Sequence, residues 1–407
     1  QLSLASSTSA HLFDNINLRN KNAELNGQFT ASNSATGFYT FGDKVRNARN
    51  LSATRPFETA WHQSGPTKVY KAEDTQIFGS SLYLTGMWSK ISGGFGLIPN
   101  GGIGVSAPTP FRDLSLVWHN SFVSYVTDRP QKQYRVDGSK FFDMGSMNHE
   151  LKFGFGYRDT PVSSSSSWPG ADNGFVRQRP ASYCVSAGQA ATVQCMQVLL
   201  SRDKNLAYAE KYTDLYAGDT ILMGNLTVQA GLRYDGQKSR NTASAAPANP
   251  ILATPLTLAS GPIPKTNGAV NAARFIPTSP PAHRYGGDSR DLKWTSLSPR
   301  IGLTYALGAD KKTLLRAGYN RYVSQMGSTV SGANPIGYTY DYFTADDKNG
   351  DHVINRDELL RFRTFFYFDP THPTSLPSPT RRDSAMKPPT SDESNLGIHT
   401  VLMSGFQ

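Results

Sequence analysis

Strict two-residue alternation constrains this chain more than any other feature. Leu226, Val228, Ala230, Leu232 and Tyr234 alternate with Thr227, Gln229, Gly231, Arg233 and Asp235. Leu151, Phe153, Phe155 and Tyr157 alternate with Lys152, Gly154, Gly156 and Arg158. Ile301, Leu303, Tyr305 and Leu307 alternate with Arg300, Gly302, Thr304 and Ala306. Successive side chains of a strand point to opposite faces, so each segment has one apolar, aromatic face and one small, polar or charged face. In a soluble sandwich the apolar faces meet in a core. In an outer-membrane barrel they face lipid, and the polar faces line a wet lumen.

The spacing between strands favours the barrel. Short turns occur at Asp143-Met144-Gly145-Ser146-Met147, Met223-Gly224-Asn225 and Gly308-Ala309-Asp310-Lys311, where Gly, Asn and Asp permit reversal of the backbone. Long segments separate the resulting pairs at 160–208, 239–293 and 324–393. Structureless loops of that size are unusual in compact soluble domains. Short turns at one end and long loops at the other are the asymmetry of an outer-membrane barrel. Strands are expected near 10–19, 22–31, 36–46, 69–91, 112–128, 131–142, 149–159, 209–221, 225–238, 297–307, 311–323 and 394–403.

Composition agrees. Gly 36, Tyr 19 and Phe 21 are high among the 407 residues, and Cys 2 is low. Mean hydropathy is −0.43, and no apolar run is long enough for a transmembrane helix. A barrel is compatible with both, because half of each strand is polar. The formal charge is +10. The basic residues, Arg129, Lys132, Arg135, Lys152, Arg158, Arg233, Arg300 and Arg316 among them, are spread over strands and loops. A nucleic-acid surface would gather them into a patch, so no nucleic-acid partner is expected. Anionic lipopolysaccharide or an anionic solute suits the charge better.

Four stretches resemble the barrel of TonB-dependent outer-membrane receptors of the Oar-like kind: Glu73 to Thr85, Trp118-His119-Asn120-Ser121 to Asp128-Arg129-Pro130-Gln131, His149 to Arg158, and Ser298 to Tyr305. The resemblance runs in order from about Leu25 to the end. It implies an all-β, transmembrane antiparallel β-barrel with long extracellular loops, in the cell outer membrane of a Gram-negative bacterium. It also implies a plug domain, coupling to a TonB complex through that plug, and import of a small solute of unknown identity. A complete barrel of that family has about 22 strands, of which this chain holds about a dozen. No plug and no TonB box is found, and the chain ends at Phe406-Gln407 in mid-strand. Residues 1–407 therefore read as an incomplete receptor barrel, cut at both ends. The competing reading is a secreted or surface β-protein, stabilised by calcium, that binds or adheres without transport.

The sharpest local chemistry lies in the 324–393 loop. Asp347, Asn349 and Asp351 stand at positions 1, 3 and 5 of a twelve-residue pattern, the Val353 carbonyl at 7, Asn355 at 9 and Glu358 at 12. That is the ligand spacing of an EF-hand-type Ca²⁺ loop. His352 stands at the sixth position, where Gly usually makes the bend, and no entering helix precedes Asp347. A solvated acidic turn is the alternative. Cys184 and Cys195 share one long loop, and two cysteines in an exposed loop of an oxidising compartment favour a disulfide.

Tyr83, Trp88, Trp118, Phe122, Tyr125, Tyr157, Tyr234, Tyr319 and Tyr322 are candidates for aromatic girdles at the membrane interfaces. Gly93-Gly94-Phe95-Gly96 and Gly101-Gly102-Ile103-Gly104 precede no helix of a βαβ unit, so neither reads as a phosphate loop. His62, His119 and His149 are isolated. No nucleophile–base pair or carboxylate pair can be named, and the chain reads as non-enzymatic.

Overall fold

The computed structural model describes residues 3–5, 11–186, 189–191, 194–258, 263–264, 270–271, 275–276, 280–327, 330, 339–366, 383 and 385–401. Eleven long strands form one antiparallel meander: β1 (Asn15–Thr30), β2 (Asn33–Arg49), β3 (Thr67–Phe78), β4 (Leu82–Ser92), β5 (Gln131–Met144), β6 (Met147–Ser167), β7 (Lys204–Met223), β8 (Leu226–Asn241), β9 (Leu292–Leu307), β10 (Thr313–Val323) and β11 (Thr390–Thr400). Each pairs with the next, and β1 and β11 are the two edges among the described residues. Among the described residues no helix is long and apolar enough to cross a membrane.

The connections alternate in length. At one end Thr30–Asn33, Phe78–Leu82, Met144–Met147, Met223–Leu226 and Leu307–Thr313 are tight reversals. Gly79, Gly145 and Gly224 take positive φ there, 62°, 63° and 60°, a conformation glycine adopts without a Cβ clash. At the other end the chain leaves the sheet for long excursions.

Register, carried from strand to strand, divides the residues cleanly. Leu232 pairs with Ala217 and Pro299, Ala217 with Phe153, Phe153 with Gly138, and Gly138 with Leu84. Leu226, Val228, Phe155, Leu303, Tyr305, Leu315, Leu396 and Ile398 share this face. Thr227, Gln229, Arg233, Lys152, Arg158 and Arg300 share the other, together with Arg135, Asp137, Asp214 and Tyr216. A slip of one residue anywhere would exchange the two sets. The apolar face has no second sheet against it: Leu232 is 50% exposed, Leu396 90% and Ile398 76%. Apolar surface of that extent is stable against hydrocarbon, not water.

Several expected boundaries move. The proposed break between 10–19 and 22–31 is absent, because Asn20 and Lys21 pair without interruption with Gly42 and Phe41. The proposed strand 69–91 is two strands folded at Gly79-Ser80-Ser81. Of 112–128 only Arg112, the end of Phe111–Arg112, with Trp118–His119 and Ser124–Asp128, is extended. β6 and β7 are far longer than expected. The last strand begins at Thr390, inside the segment assigned to the 324–393 loop. Phe406-Gln407 lies outside the described residues.

Three neighbouring strands continue past the membrane-height wall with a break at one common level. Trp61–Ser64 leads into β3 through Gly65-Pro66, β4 continues into Gly94–Pro99 across Gly93, and Ser124–Asp128 leads into β5 through Arg129-Pro130. Their pairing resumes in the same register above the breaks. A Cβ on Gly94 would lie 2.1 Å from the Thr127 carbonyl oxygen, so only glycine admits this close approach.

Above this rim the long loops fold into a cap. Its six-stranded sheet runs Trp118–His119, Phe111–Arg112, Gly174–Gln178, Cys195–Arg202, Thr339–Asp346 and Leu359–Phe366. One face packs Val176, Met196, Val198, Leu200, Phe343 and Phe362 against Leu252 and Leu258 of the 242–291 loop. The opposite face carries Trp118, Trp168, Phe175 and Leu199. Within the 324–393 segment, Thr339–Asp346 and Leu359–Phe366 are therefore strands of this cap. By the barrel rule of short periplasmic turns and long outer loops, the cap faces the cell exterior.

Candidate functional site: a polar lumen wall beneath an extracellular cap

The polar face is concave and encloses a recess of about 750 Å³ lined by β5–β11. Its floor has no side chains at Gly218, Gly231, Gly302 and Gly318, and Arg135, Lys152, Arg233, Arg300 and Arg316 surround that floor. Gly218 pairs with Gly231, and Gly302 with Gly318; on the ladder between these pairs Gly231 faces Arg300 and Gly302 faces Gln229.

Beside the recess the charges are cross-linked. Arg135 donates from Nε and Nη2 to the two Asp137 oxygens at 2.6 and 2.9 Å. The Tyr216 hydroxyl donates to Asp137 at 2.7 Å. Arg233 Nη2 lies 3.2 Å from Asp214 and its Nε donates to Asp235 at 2.9 Å, while the Tyr212 hydroxyl donates to Asp235 and accepts from Arg233 at 2.8 Å. Gly154 and Gly156 make room for this network. A Cβ on Gly154 would stand 2.4 Å from the Tyr216 ring, and one on Gly156 2.3 Å from an Asp214 oxygen. Arg300 and Arg316 have no ion pair among the described residues, although Arg300 lies over the Tyr322 ring at 5.4 Å. The wall is thus polar, and the lining of its recess is basic.

Aromatic placement is mixed. Trp88, Tyr157, Tyr234 and Tyr319 lie on the apolar face, as a girdle requires, with Tyr70 and Tyr134 beside them. Tyr83 and Tyr322 share the polar face instead, and Tyr125 continues that face above the rim. Trp118 and Phe122 belong to the cap: Trp118 is buried with Trp168 and Phe175, and Phe122 packs edge-on at 4.9 Å. Of the three histidines, His149 lies 2.7 Å from Asp219 and is stacked on Phe142. His62 bonds Asn47, and His119 bonds Asp113.

Cys184 and Cys195 form a disulfide with Cα atoms 5.8 Å apart. It ties the short helix Ala181–Val185 to the strand Cys195–Arg202 at the middle of the cap sheet.

The twelve-residue loop is wound on its own carboxylates. Asp347 accepts from the Gly350 and His352 amides at 2.9 and 3.1 Å, Asn349 from Asp351 at 3.1 Å, and Asp351 from Val353 at 2.8 Å. Glu358 closes the loop by accepting from Lys348 at 3.0 Å and Asn355 at 2.8 Å. Asp347 is 0% exposed and Glu358 3%. His352 takes φ 60° at the bend, and its ring stacks on Phe111 at 3.7 Å. That contact accounts for an imidazole where the pattern has glycine. Asn355 caps the turn Arg356–Glu358, whose Arg356 donates to Ile251, Thr254 and Pro255 carbonyls and so fastens the 242–291 loop. Among the described residues no three His, Cys, Asp or Glu side chains form a metal-holding group.

An apolar outer face, a polar concave inner face, tight turns at one end and a folded cap at the other define an outer-membrane β-barrel wall. The chain belongs to the outer membrane beta barrel domain family, whose sequence model matches residues 6–406, and it is a protein of the Gram-negative outer membrane. No curated protein matches it. Among solved structures it is similar to the ferric citrate transporter FecA in its unliganded form, at 11% identity over 82% of this chain and 41% of that one, TM-score 0.43. It is similar to the alcaligin outer membrane receptor FauA from Bordetella pertussis, at 10% identity over 83% and 41%, TM-score 0.43. The siderophore receptor PiuA from Acinetobacter baumannii gives 11% over 85% and 49%, TM-score 0.43. The chain spans less than half the length of each.

Proposed function

We propose that this chain is the barrel wall and extracellular cap of a TonB-dependent outer-membrane transporter that imports a solute, coupled to TonB through a plug domain. The observation that carries the reading is the two-faced wall: a largely apolar exterior backed by a concave polar interior with a basic, glycine-floored recess, under a folded cap. A sandwich for binding or adhesion would cover its apolar face with a second sheet. The test is uptake in cells producing the full receptor, with mass spectrometry of the spent medium. Depletion of a solute that stops when the gene is disrupted, and when the proton-motive force is collapsed, is the expected result. Equal depletion in all three cultures would overturn it.

We also infer that the 347–358 loop takes Ca²⁺. The reading is supported by the ligand spacing of Asp347, Asn349, Asp351, the Val353 carbonyl and Glu358, and by the burial of Asp347 and Glu358, the carboxylates at the first and closing positions. Asn355 would act through water. Calorimetry on the whole chain should show saturable calcium binding, weakened at least about tenfold by Glu358→Gln and less by Asn355→Ala. Absence of calcium-dependent heat, or an unchanged affinity in Glu358→Gln, leaves a loop held by its own hydrogen bonds.

A further inference from the structure

The cap-sheet face that carries Trp118, Phe175 and Leu199 gathers arginines that its carboxylate Asp346 does not neutralise. Arg112 and Arg177 are direct partners on neighbouring parallel strands, about 5 Å apart by strand spacing. Arg179 follows two residues on, and its amide continues the ladder by donating to the Cys195 carbonyl at 2.8 Å, so it shares the face of Arg177. Arg179 and Arg363 both place their guanidinium carbons 5.1 Å from the Tyr183 ring centre. The disulfide of the adjacent Cys184 holds that ring in place.

None of these four arginines makes an ion pair among the described residues. Arg112 spends its Nε on the Leu116 carbonyl at 3.2 Å, and Arg179 donates to the side-chain oxygen of Gln197. Arg177 lies 4.7 Å from the Phe175 ring, and its Nε is buried with no hydrogen-bond partner among the described residues. Burial lowers the Arg177 pKa, Tyr342 opposes this, and the charges of Arg112 and Arg179 lower it further. Asp346 is a carboxylate on the same face, and it accepts from the Gln194 amide at 2.8 Å without pairing to Arg179. Guanidinium groups at this spacing, unneutralised and partly desolvated, present forked donors that match carboxylate and phosphate oxygens.

We propose that the Arg112–Arg177–Arg179–Arg363 face of the cap is an oxyanion-binding site for a soluble solute carrying two or more carboxylate or phosphate groups. Two or more are needed because the donors spread over neighbouring strands and along one of them, farther than a single small anion reaches. The inference rests on the transport reading only in taking the bound anion as cargo. Binding is therefore measured on the isolated protein, where failure to bind is distinct from failure to translocate.

The experiment titrates inorganic pyrophosphate into the whole chain in detergent. Saturable, salt-sensitive binding is expected, reduced at least about tenfold in Arg177→Gln and Arg179→Gln. Lys311→Gln, the same charge change in a distant turn, should leave it unaltered. Arg179→Lys, which keeps the charge and loses the fork, should fall between. Arg363→Gln provides a second probe should Arg177→Gln unfold the cap, and an approximately several-fold loss is expected there. No binding, or equal losses in Lys311→Gln and the arginine variants, overturns the site. Arginine-dependent association with lipid A nanodiscs in the absence of pyrophosphate binding would assign the face to a headgroup and also overturn it.

Discussion

Asp172 shows how much a single side chain carries in the cap. It is fully buried, and one carboxylate oxygen accepts from the Thr109 hydroxyl at 2.8 Å. The other has no partner among the described residues. Burial pushes its pKa up to about 6, partly offset by the Thr109 bond. The folded state therefore holds this proton more tightly than the unfolded state, and the contribution to stability falls as pH rises from the ordinary carboxylate range through about 6. The loss is on the order of 3 kcal/mol when complete. Asp172→Asn should remove that slope: subtracting its denaturation curve from the wild-type curve between pH 4 and 7 should expose a decline that levels off above 6. Parallel curves would contradict the assignment. The neighbouring Asn249, 0% exposed, shows the satisfied case. Its Nδ2 donates to the Asp172 and Ser201 carbonyls at 2.8 Å each, and its oxygen accepts from the Ile251 and Leu252 amides.

At the scale of the strand, face decides what is tolerated. β8 leaves its turn at Leu226 and needs about ten residues to cross the hydrocarbon, which puts Leu232 near mid-height on the lipid side and Gln229 on the lumen side. Leu232→Arg should destabilise the inserted barrel by about 2–4 kcal/mol. Gln229→Arg, three residues away, should change it little. Urea titrations in lipid vesicles would separate the two, and equal effects would mean the faces are misassigned. The same alternation made β6, β8 and β9 legible in the sequence, because period two converts composition directly into orientation. The turn at Gly79-Ser80-Ser81 was hidden because Glu73–Thr85 keeps a strand-like pattern across it. The cap sheet was hidden for a different reason. Its strands come from loops as distant as Phe111 and Phe366, one pair is parallel, and the ladder from Thr339–Asp346 to Leu359–Phe366 shifts register. Thus Arg112 and Arg177 meet only through long-range pairing, whereas the 347–358 pattern was visible because its bonds are local.

For the whole molecule, the wall and the cap rest on different physics. The wall is stabilised by its ladders and by lipid, the cap by an aqueous apolar core and one disulfide. Cys184→Ser should therefore lower cap stability by about 2–3 kcal/mol, the range for a loop of this size, and leave the wall unaffected. Hydrogen exchange should show faster opening confined to 168–203 and 339–366. Protection lost equally across β5–β9 would mean that cap and wall unfold together. The bare floor at Gly218, Gly231, Gly302 and Gly318 gives the wall a lopsided bore. At Gly218 and Gly231 the backbone itself is the surface, whereas Gln229 and Asn395 lean over Gly302 and Gly318. Lys152 stands beside Gly218 and Arg300 beside Gly231 on the adjoining strands, so a cation flanks this bare pair on each side. On the transport reading, a charged solute at this height would be handed along one wall and would follow a groove off the central axis.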